Sequence, residues 1–192
     1  MTQNRSKKII IGVSGNKGSF SEEAALVYSK NLGLESKLSY CTDMEGVLKK
    51  LSKGNIAIGI FPVVNSRGGL VTQAFSAMGK YRFTLIDQVW LDIQQNLMTL
   101  KGVEKKKISS IVSHSQALAQ CERYLSMEYP TVPRVEWQDT AKAAQDLKYG
   151  LLKKNTAVIA PRNCASMYGL KIIGRSIQDM RPNITTFIVV KK

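Results

Sequence analysis

Short apolar runs alternate with amphipathic stretches along almost the whole chain. Strands are predicted where β-branched and apolar residues cluster, at 8–13, 38–41, 56–62, 83–91, 96–100, 108–112, 156–160 and 185–190. Helices are predicted between them, at 19–31, 42–53, 70–79, 115–127, 140–151 and 163–168. The run at 56–62 is apolar on both faces, which is typical of a strand buried in a parallel sheet. The alternation predicts an α/β fold with mainly parallel sheets.

Local signals set several of these predicted boundaries. Ser19 or Ser21 is expected to cap the first helix, because a hydroxyl there can accept a free backbone N–H. Thr42 and Glu45 have the spacing of a capping box and predict the start of the second helix. Two prolines predict a loop at 130–133. The helix at 140–151 is supported by apolar residues three to four apart, namely Ala141, Ala144, Leu147 and Leu151.

Composition adds limits on the class of protein. Hydrophobic residues make up 44% of the 192, which permits a substantial core. No apolar run approaches the roughly 20 residues that a membrane-spanning helix needs, so no membrane association is expected. Residues 1–8 are polar and lack the apolar stretch of a secretory signal. We therefore predict a cytoplasmic protein.

Cysteine and histidine usage points the same way. Three cysteines, Cys41, Cys121 and Cys164, are widely spaced, which predicts reduced and mostly buried thiols. His114 is the single histidine, so a site with two histidine ligands is excluded and no metal is expected.

The chain is strongly basic, with 28 Lys and Arg against 14 Asp and Glu and a net charge of +14. Such an excess attracts anions, from small dianions to nucleic acid. The lysines come in scattered short groups that are not interleaved with aromatic residues, so nucleic-acid binding is not favoured. Net charge alone does not identify the ligand.

Four polar phrases, at 15–21, 62–66, 113–121 and 183–187, carry the candidate chemistry. The first three follow predicted strands, where ligands bind in open α/β sheets, and the fourth opens the last strand. The glycine-rich loop at 15–21 is equally consistent with an ordinary turn or a ligand loop. His114 is interpreted either as a helix cap or as a proton donor to a ligand.

The order of these phrases resembles that of the prephenate dehydratase catalytic domain over about residues 8–190. The matching segments are Gly-Ser-Phe-Ser at 18–21, Pro-Val-Val-Asn-Ser at 62–66, Ser-His-Ser-Gln-Ala-Leu-Ala-Gln-Cys at 113–121, Tyr-Gly-Leu at 168–170, Ile-Gln-Asp at 177–179 and Asn-Ile-Thr-Thr-Phe at 183–187. The resemblance implies a two-lobed fold like that of type II periplasmic binding proteins, with a cleft between the lobes. The expected lobes are 1–85 plus 168–192 and 86–167, with no regulatory ACT domain and no chorismate mutase segment.

The resemblance also implies a reaction and a site. Prephenate, or its amino counterpart arogenate, would lose its ring hydroxyl and a carboxylate without any cofactor, which makes the enzyme a carbon–oxygen lyase. Prephenate would give phenylpyruvate in phenylalanine biosynthesis, and a homodimer is possible. Thr185 is the expected catalytic residue. The expected substrate-binding residues are Ser19, Asn65, Ser66, Ser113, His114, Gln116, Gln120, Thr140 and Phe187.

Two substitutions depart from the family pattern. Thr186 stands where the family motif Thr-Arg-Phe has an arginine, a side chain suited to bidentate carboxylate binding. Val64 stands where the family has a glutamate. Two alternatives therefore remain, a decarboxylase that does not aromatise prephenate and a non-catalytic ligand-binding protein. The retained Thr185 argues against the first, and the missing arginine favours the second.

Overall fold

Two sheets, each covered by helices, divide the chain into two lobes in the computed structural model, which describes residues 8–192. The expectation about the N-terminal stretch concerns residues 1–8, of which only Lys8 lies within this range. The first sheet contains β1 (Ile9–Ser14), β2 (Ser36–Cys41), β3 (Ile58–Asn65), β4 (Gly69–Leu70), β5 (Thr84–Asp92) and β11 (Ile184–Lys191). The second contains β6 (Asn96–Thr99), β7 (Ser110–Ser113), β8 (Arg134–Glu136), β9 (Thr156–Ala160) and β10 (Lys171–Gly174).

The helices follow the predicted order with two differences. They are α1 (Phe20–Asn31), α2 (Met44–Ser52), α3 (Thr72–Met78), α4 (Ser115–Gln120), α5 (Glu122–Glu128), α6 (Thr140–Lys148) and α7 (Asn163–Tyr168), with a short 3-10 helix at Lys105–Lys107. Asp43, not Thr42, caps α2, because its Oδ1 accepts the N–H of Gly46 at 2.7 Å. The helix predicted at 115–127 is two helices, broken at Cys121.

Asp179 explains this break. Its two carboxylate oxygens accept the N–H groups of Arg123 at 2.8 Å and Tyr124 at 3.0 Å. A carboxylate at that position holds the N-terminus of α5 and stabilises a separate helix start. Because Asp179 is 56 residues away from Arg123 along the chain, no local sequence signal predicts this arrangement.

The sheets are mixed rather than mainly parallel. Strand order is β2-β1-β3-β11-β5 in the first sheet, with β4 beside β3, and β10-β6-β9-β7-β8 in the second. The pairs β1–β2, β1–β3, β7–β8 and β7–β9 are parallel, whereas β11 is antiparallel to both β3 and β5. The predicted two-lobed α/β architecture is confirmed.

The chain crosses between the sheets twice, at 93–95 and at 175–183. β5 leads out of the first lobe and β11 leads back into it at the same edge, so these two neighbouring strands run in opposite directions. Sheet membership differs from the lobe boundaries expected at 85/86 and 167/168. β5 pairs entirely within the first sheet, and β10 pairs within the second.

The strands missed by the sequence patterns are short. β8 has three residues, follows the predicted proline loop and exposes Val135 and Glu136, so it has little apolar pattern. β10 pairs antiparallel with β6 across an irregular register between Ile172 and Gly174. Both lie at an edge of the second sheet, where one strand side has no neighbour and the local sequence is weakly constrained.

Each lobe has a core on both faces of its sheet. In the first lobe, one cluster contains Ile11, Val13, Ile60, Phe187 and Val189 against α1, and the other contains Leu48, Leu51, Phe61, Ile188 and Val190 against α2 and α3. The three cysteines are buried free thiols, as predicted. Within residues 8–192, no helix has both the length and the apolar character needed to cross a bilayer.

We expect Gly59→Ala to destabilise the first lobe. A Cβ at this position of β3 would lie 2.8 Å from Val47 Cγ1 and 3.1 Å from Val190 Cγ2, in a core packed from both sides. Overpacking of this kind costs about 1–3 kcal/mol of unfolding free energy, measurable by denaturant titration. Gly79→Ala is the matched control, because the φ of Gly79 is −64° and an added Cβ would lie 3.7 Å from its nearest contact, the carbonyl oxygen of Phe75. Equal stabilities of the two variants would contradict this packing.

Candidate active site

A cleft of about 660 Å³ lies between the two lobes. This volume is within the range of about 300–1,000 Å³ that small-molecule sites occupy. Both lobes contribute to its walls. Eight of the residues predicted from the sequence line it: Ser19, Asn65, His114, Gln116, Gln120, Thr140, Thr185 and Phe187. The tertiary structure thus brings together residues from five separated segments.

Thr185 and Phe187 reach the cleft because they lie on the same face of β11. Both line the cleft, and Thr186 between them does not, as expected from the alternation of side chains along a strand. Thr185 is 7% exposed. Its position at the start of β11 places it directly opposite Asn65, the last residue of β3.

The side-chain amide of Asn65 joins the two strands. Its Oδ1 accepts the backbone N–H groups of Arg67 at 2.8 Å and Gly68 at 2.7 Å. Its Nδ2 donates to Thr185 Oγ1 and to Asn183 Oδ1, both at 2.8 Å. The amide is therefore oriented by the turn that follows β3, and it presents a donor to Thr185.

The same network reaches the second lobe through Gln120 of α4. Asn183 Nδ2 donates to Gln120 Oε1 at 3.0 Å, and Gln95 Nε2 donates to the same oxygen at 3.1 Å. Gln120 Nε2 in turn lies 3.5 Å from Asn65 Oδ1. Side chains of both crossing segments and of α4 thereby hold one another at the floor of the cleft.

The glycine-rich loop after β1 contacts the second lobe. Asn16 donates to Asp139 Oδ2 from its Nδ2 at 2.7 Å and from its backbone at 3.2 Å. The Tyr168 hydroxyl donates to the carbonyl of Lys17 at 2.9 Å. The loop was interpreted as an ordinary turn or as a ligand loop. Its central residues instead make a contact between the lobes, whereas Ser19 at its end caps α1 and lines the cleft.

Cys164 closes the same contact. Its Sγ lies 3.5 Å from the carbonyl of Gly18, to which the thiol donates. Burial, with a smaller effect of the Asp139 carboxylate, raises the pKa of the Cys164 thiol to about 12. The thiol therefore stays protonated at neutral pH and acts as a packed donor rather than as a nucleophile.

His114 caps α4 and lines the cleft. Its Nδ1 accepts the N–H of Gln116 at 3.3 Å, which is the capping role considered for it. Gln116 extends across to the first lobe, where a Cβ on Gly68 would lie 1.9 Å from its Nε2. A side chain at position 68 would therefore displace the amide of Gln116 from this position.

Ser113 and Ser66 do not line the cleft. Ser113 is fully buried, and its Oγ donates to the carbonyl of Ile159 at 2.7 Å, which ties β7 to β9. Ser66 Oγ accepts the N–H of Ile184 at 2.9 Å and holds the start of β11. Both residues stand at the ends of strands as predicted, but their side chains support the sheets instead of the cleft.

Among the site residues that were not predicted, three connect the parts of the site. Asp139 caps α6 and contacts the opposite lobe, Gln95 lies on the first crossing segment, and Asn183 belongs to the Asn65 network. Asn183 is the first residue of the polar phrase at 183–187, so its position in that phrase could have identified it as a site residue. Gln95 stands between two strands and has no local signal.

Polar side chains are set among apolar ones in the cleft walls. Asp43, Glu45 and Asp139 line the cleft, and no lysine or arginine among residues 8–192 does so. The N-termini of α1, α2 and α6 begin at the cleft and place the positive ends of their dipoles there. In the same range, no group of three or more His, Cys, Asp or Glu side chains is arranged to hold a metal ion.

Val64 and Thr186, the two departures from the family pattern, are direct cross-strand neighbours. Thr186 pairs with Val64 on one side and with Trp90 on the other. Val64 also pairs with Leu70, so the four residues form one row across β4, β3, β11 and β5. This row lies on the sheet face opposite Thr185. Thr186 itself therefore lies outside the cleft wall.

The comparison with known sequences decides the family. A sequence model described as prephenate dehydratase matches residues 11–192. The chain belongs to the prephenate dehydratase family. It is 31% identical over 176 residues to the bifunctional chorismate mutase/prephenate dehydratase of Stutzerimonas stutzeri, covering 92% of this chain and 47% of that protein. It is 34% identical over 133 residues to arogenate dehydratase 1 of Petunia hybrida, covering 69% of this chain and 31% of that one.

Solved structures agree with this assignment. Prephenate dehydratase from Arthrobacter aurescens, solved in complex with L-Phe, superposes with a TM-score of 0.85 at 25% identity, over 96% of this chain and 60% of that one. A periplasmic substrate-binding protein of an ABC transporter from Coxiella burnetii superposes with a TM-score of 0.53 at 16% identity, over 95% and 84% of the two chains. The latter shows the predicted periplasmic-binding-protein-like fold alone. The chain spans about half the length of the curated bifunctional relative it matches.

We expect glutamate at position 64 and arginine at position 186 to interact with each other and not with a ligand. In a double-mutant cycle, Val64→Glu and Thr186→Arg should show a favourable coupling of roughly 0.2–1 kcal/mol in unfolding free energy, as cross-strand ion pairs do. Val64→Gln with Thr186→Arg is the uncharged control and should couple less.

The same geometry predicts that Thr186→Arg alone changes the affinity for a ligand of the cleft, measured with prephenate as the probe, by less than about twofold, because a side chain on the far face adds no charged hydrogen bond to that ligand. A tenfold gain in affinity would show that the arginine reaches the ligand.

Proposed function

We propose that this chain catalyses the decarboxylating dehydration of prephenate to phenylpyruvate. The observation that carries the proposal is the orientation of Thr185. Its Oγ1 accepts a hydrogen bond from Asn65 Nδ2, and no acceptor among residues 8–192 takes its hydroxyl proton. Thr185 lines the cleft, so its O–H is directed to a ligand. A donor held there is what departure of a hydroxyl group requires.

The reaction needs a donor and an oriented substrate. The bond between ring carbon and hydroxyl oxygen breaks, and the electrons of the bond to the leaving carboxylate move into the ring. One proton joins the departing hydroxide, so that the products are phenylpyruvate, carbon dioxide and water. A threonine hydroxyl is a weak acid, so Thr185 acts by hydrogen bonding to the leaving oxygen, while solvent supplies the net proton. The gain of aromaticity drives the step.

In this proposal, the substrate is attracted mainly by the long-range electrostatic field of the basic protein. Prephenate is a dianion at neutral pH, and the chain has a net charge of +14. At close range, the N-terminus of α1, which has the neutral cap Ser19, favours a carboxylate, whereas α2 and α6 are already capped by Asp43 and Asp139. The proposed site residues are Thr185 for catalysis, with Ser19, Asn65, His114, Gln116, Gln120, Thr140 and Phe187 around the substrate.

The wider context follows from the family. Phenylpyruvate formation is a step of phenylalanine biosynthesis, and we assign the chain to that role as a carbon–oxygen lyase. Arogenate stays an open substrate, because Asp43, Glu45 and Asp139 line the cleft and an ammonium group would suit them. We propose a cytoplasmic enzyme, supported by three free cysteines. The homodimer stays a prediction.

The alternatives have less support in the geometry. The non-catalytic reading relied on the missing arginine, but Thr186 lies on the far face of the sheet, paired with Val64. The decarboxylase reading would not need a donor at the leaving hydroxyl, whereas Thr185 is held as one by Asn65. None of the described residues specifically supports either alternative.

Thr185→Ala should lower kcat by roughly 10²–10⁴-fold, the contribution typical of a positioned proton donor. Thr185→Ser keeps the hydroxyl and should retain much of the activity. Thr186→Ala, one residue away on the opposite face, is the matched control and should retain the wild-type rate. Phenylpyruvate formation and prephenate loss are followed in parallel near pH 8, where spontaneous aromatisation in acid is avoided.

Three results would count against the assignment. An unchanged rate for Thr185→Ala would remove Thr185 from the reaction. Prephenate loss without phenylpyruvate would indicate the decarboxylase. Binding of prephenate without any loss would indicate a ligand-binding protein.

A further inference from the structure

The amides around Asn65 form a network whose donors and acceptors are fixed by the backbone. Asn65 Oδ1 accepts two backbone N–H groups of the following turn, so its Nδ2 is the group that donates to Thr185 and Asn183. Asn183 Nδ2 donates to the carbonyl of Ile93 at 3.3 Å. Because a backbone N–H only donates and a carbonyl only accepts, neither amide can be reversed without losing these bonds.

The assignment of donors and acceptors extends through Gln120 to Gln95. Asn183 Nδ2 donates to Gln120 Oε1 at 3.0 Å, so this oxygen is an acceptor. Gln95 Nε2 donates to it at 3.1 Å. A reversed Gln95 amide would bring two oxygen atoms together, which is repulsive. The Oε1 of Gln95 is therefore the free end of the network.

Gln95 Oε1 is a buried acceptor without a donor. The residue is 3% exposed and lines the cleft, and no group in residues 8–192 donates to this oxygen. The backbone of Gln95 is hydrogen-bonded to the second crossing segment. Its N–H donates to Gln178 Oε1 at 3.1 Å, and its carbonyl accepts the N–H of Ile177 at 2.8 Å. A buried acceptor left unpaired is unfavourable, and a ligand that brings a donor into the cleft relieves this cost.

We propose that Gln95 Oε1 accepts a hydrogen bond from the ring hydroxyl of the substrate. This inference rests on the proposed function. The carboxylates and the ketone of prephenate can only accept at neutral pH, so the ring hydroxyl is the donor that the molecule offers. With its proton held by Gln95, the hydroxyl turns its lone pairs to the O–H of Thr185. The water that forms on C–O cleavage still donates to Gln95.

The network thus ends in two complementary groups. Thr185 is the donor end and Gln95 the acceptor end, and the chain that links them runs through Asn65, Asn183 and Gln120. Gln95 binds and orients the group that leaves, and Thr185 assists its departure. A substrate analogue without the hydroxyl would leave both ends unpaired.

The test uses two unreactive ligands and one near-isosteric substitution. Ring-saturated prephenate keeps the hydroxyl and cannot aromatise, and its deoxy counterpart lacks only that group. By calorimetry, the wild-type protein should bind the hydroxylated compound roughly 3–10-fold more tightly, as one net hydrogen bond allows. Gln95→Met, which cannot accept at this position, should abolish the preference and lower kcat/KM for prephenate by roughly tenfold.

Asn163→Leu is the matched control, since it removes another buried amide oxygen without a donor in residues 8–192, outside the cleft wall and not bonded to the Asn65 network. It should retain the preference for the hydroxylated ligand. If Gln95→Met does not fold, Gln95→Asn withdraws the oxygen by one methylene and should lose the preference equally.

A preference that persists in a folded Gln95 variant, or one that Asn163→Leu also abolishes, overturns the inference. If the wild-type protein forms phenylpyruvate but binds both ligands equally, the inference fails and the proposed function stands. If the protein forms no phenylpyruvate, the proposed function fails, and this is read independently of the ligand preference.

Discussion

The side-chain amide of Asn65 fixes the site, because one group bonds to β3's own turn, to β11 and to the crossing segment at once. Its oxygen is occupied by two backbone N–H groups, and its nitrogen therefore donates to Thr185 and Asn183. Backbone groups cannot exchange donor and acceptor roles, so the direction of every later bond follows from this one. The chemistry assigned to Thr185 depends on that direction. A threonine whose oxygen already accepts has its proton left for the ligand.

The two crossings between the lobes explain why the site lies where it does. β5 leaves the first lobe and β11 returns to it at the same edge, which makes them antiparallel and places Gln95, Asn183 and Thr185 close together. The lobes are also joined away from the network, where the loop after β1 bonds to Asp139 and Tyr168. A ligand in the cleft therefore touches groups that belong to both lobes and to the segments that connect them. Any change in the lobe arrangement alters these groups together.

The departures from the family pattern have a common structural explanation. Val64 and Thr186 are cross-strand partners, so the family's glutamate and arginine would stand beside each other at these positions. Replacing both members of such a pair leaves no unpaired charge, whereas replacing one would. In this chain the row is apolar at its ends, with Leu70 at 65% and Trp90 at 63% exposed. Read along the sequence, Thr186 is adjacent to Thr185. In the sheet, the two residues face opposite ways, and only Thr185 lines the cleft.

The sequence by itself determined the fold class, the order of the longer elements and eight of the residues that line the cleft. Apolar runs of period two or with no polar face identify strands, and glycine, serine and asparagine after them identify the polar ends, because both signals are local. The direction of β11, the break at Cys121 and the lobe crossings were decided by contacts between distant residues, such as Asp179 with α5. Which face a residue presents was likewise decided only in the sheet. The side chains of Ser113 and Ser66 hydrogen-bond to neighbouring strands, while Gln95 and Asp139 line the cleft. Side-chain direction at a strand end depends on pairing partners far away in the chain, and hydrogen-bond polarity depends on the whole network. Local sequence carries neither.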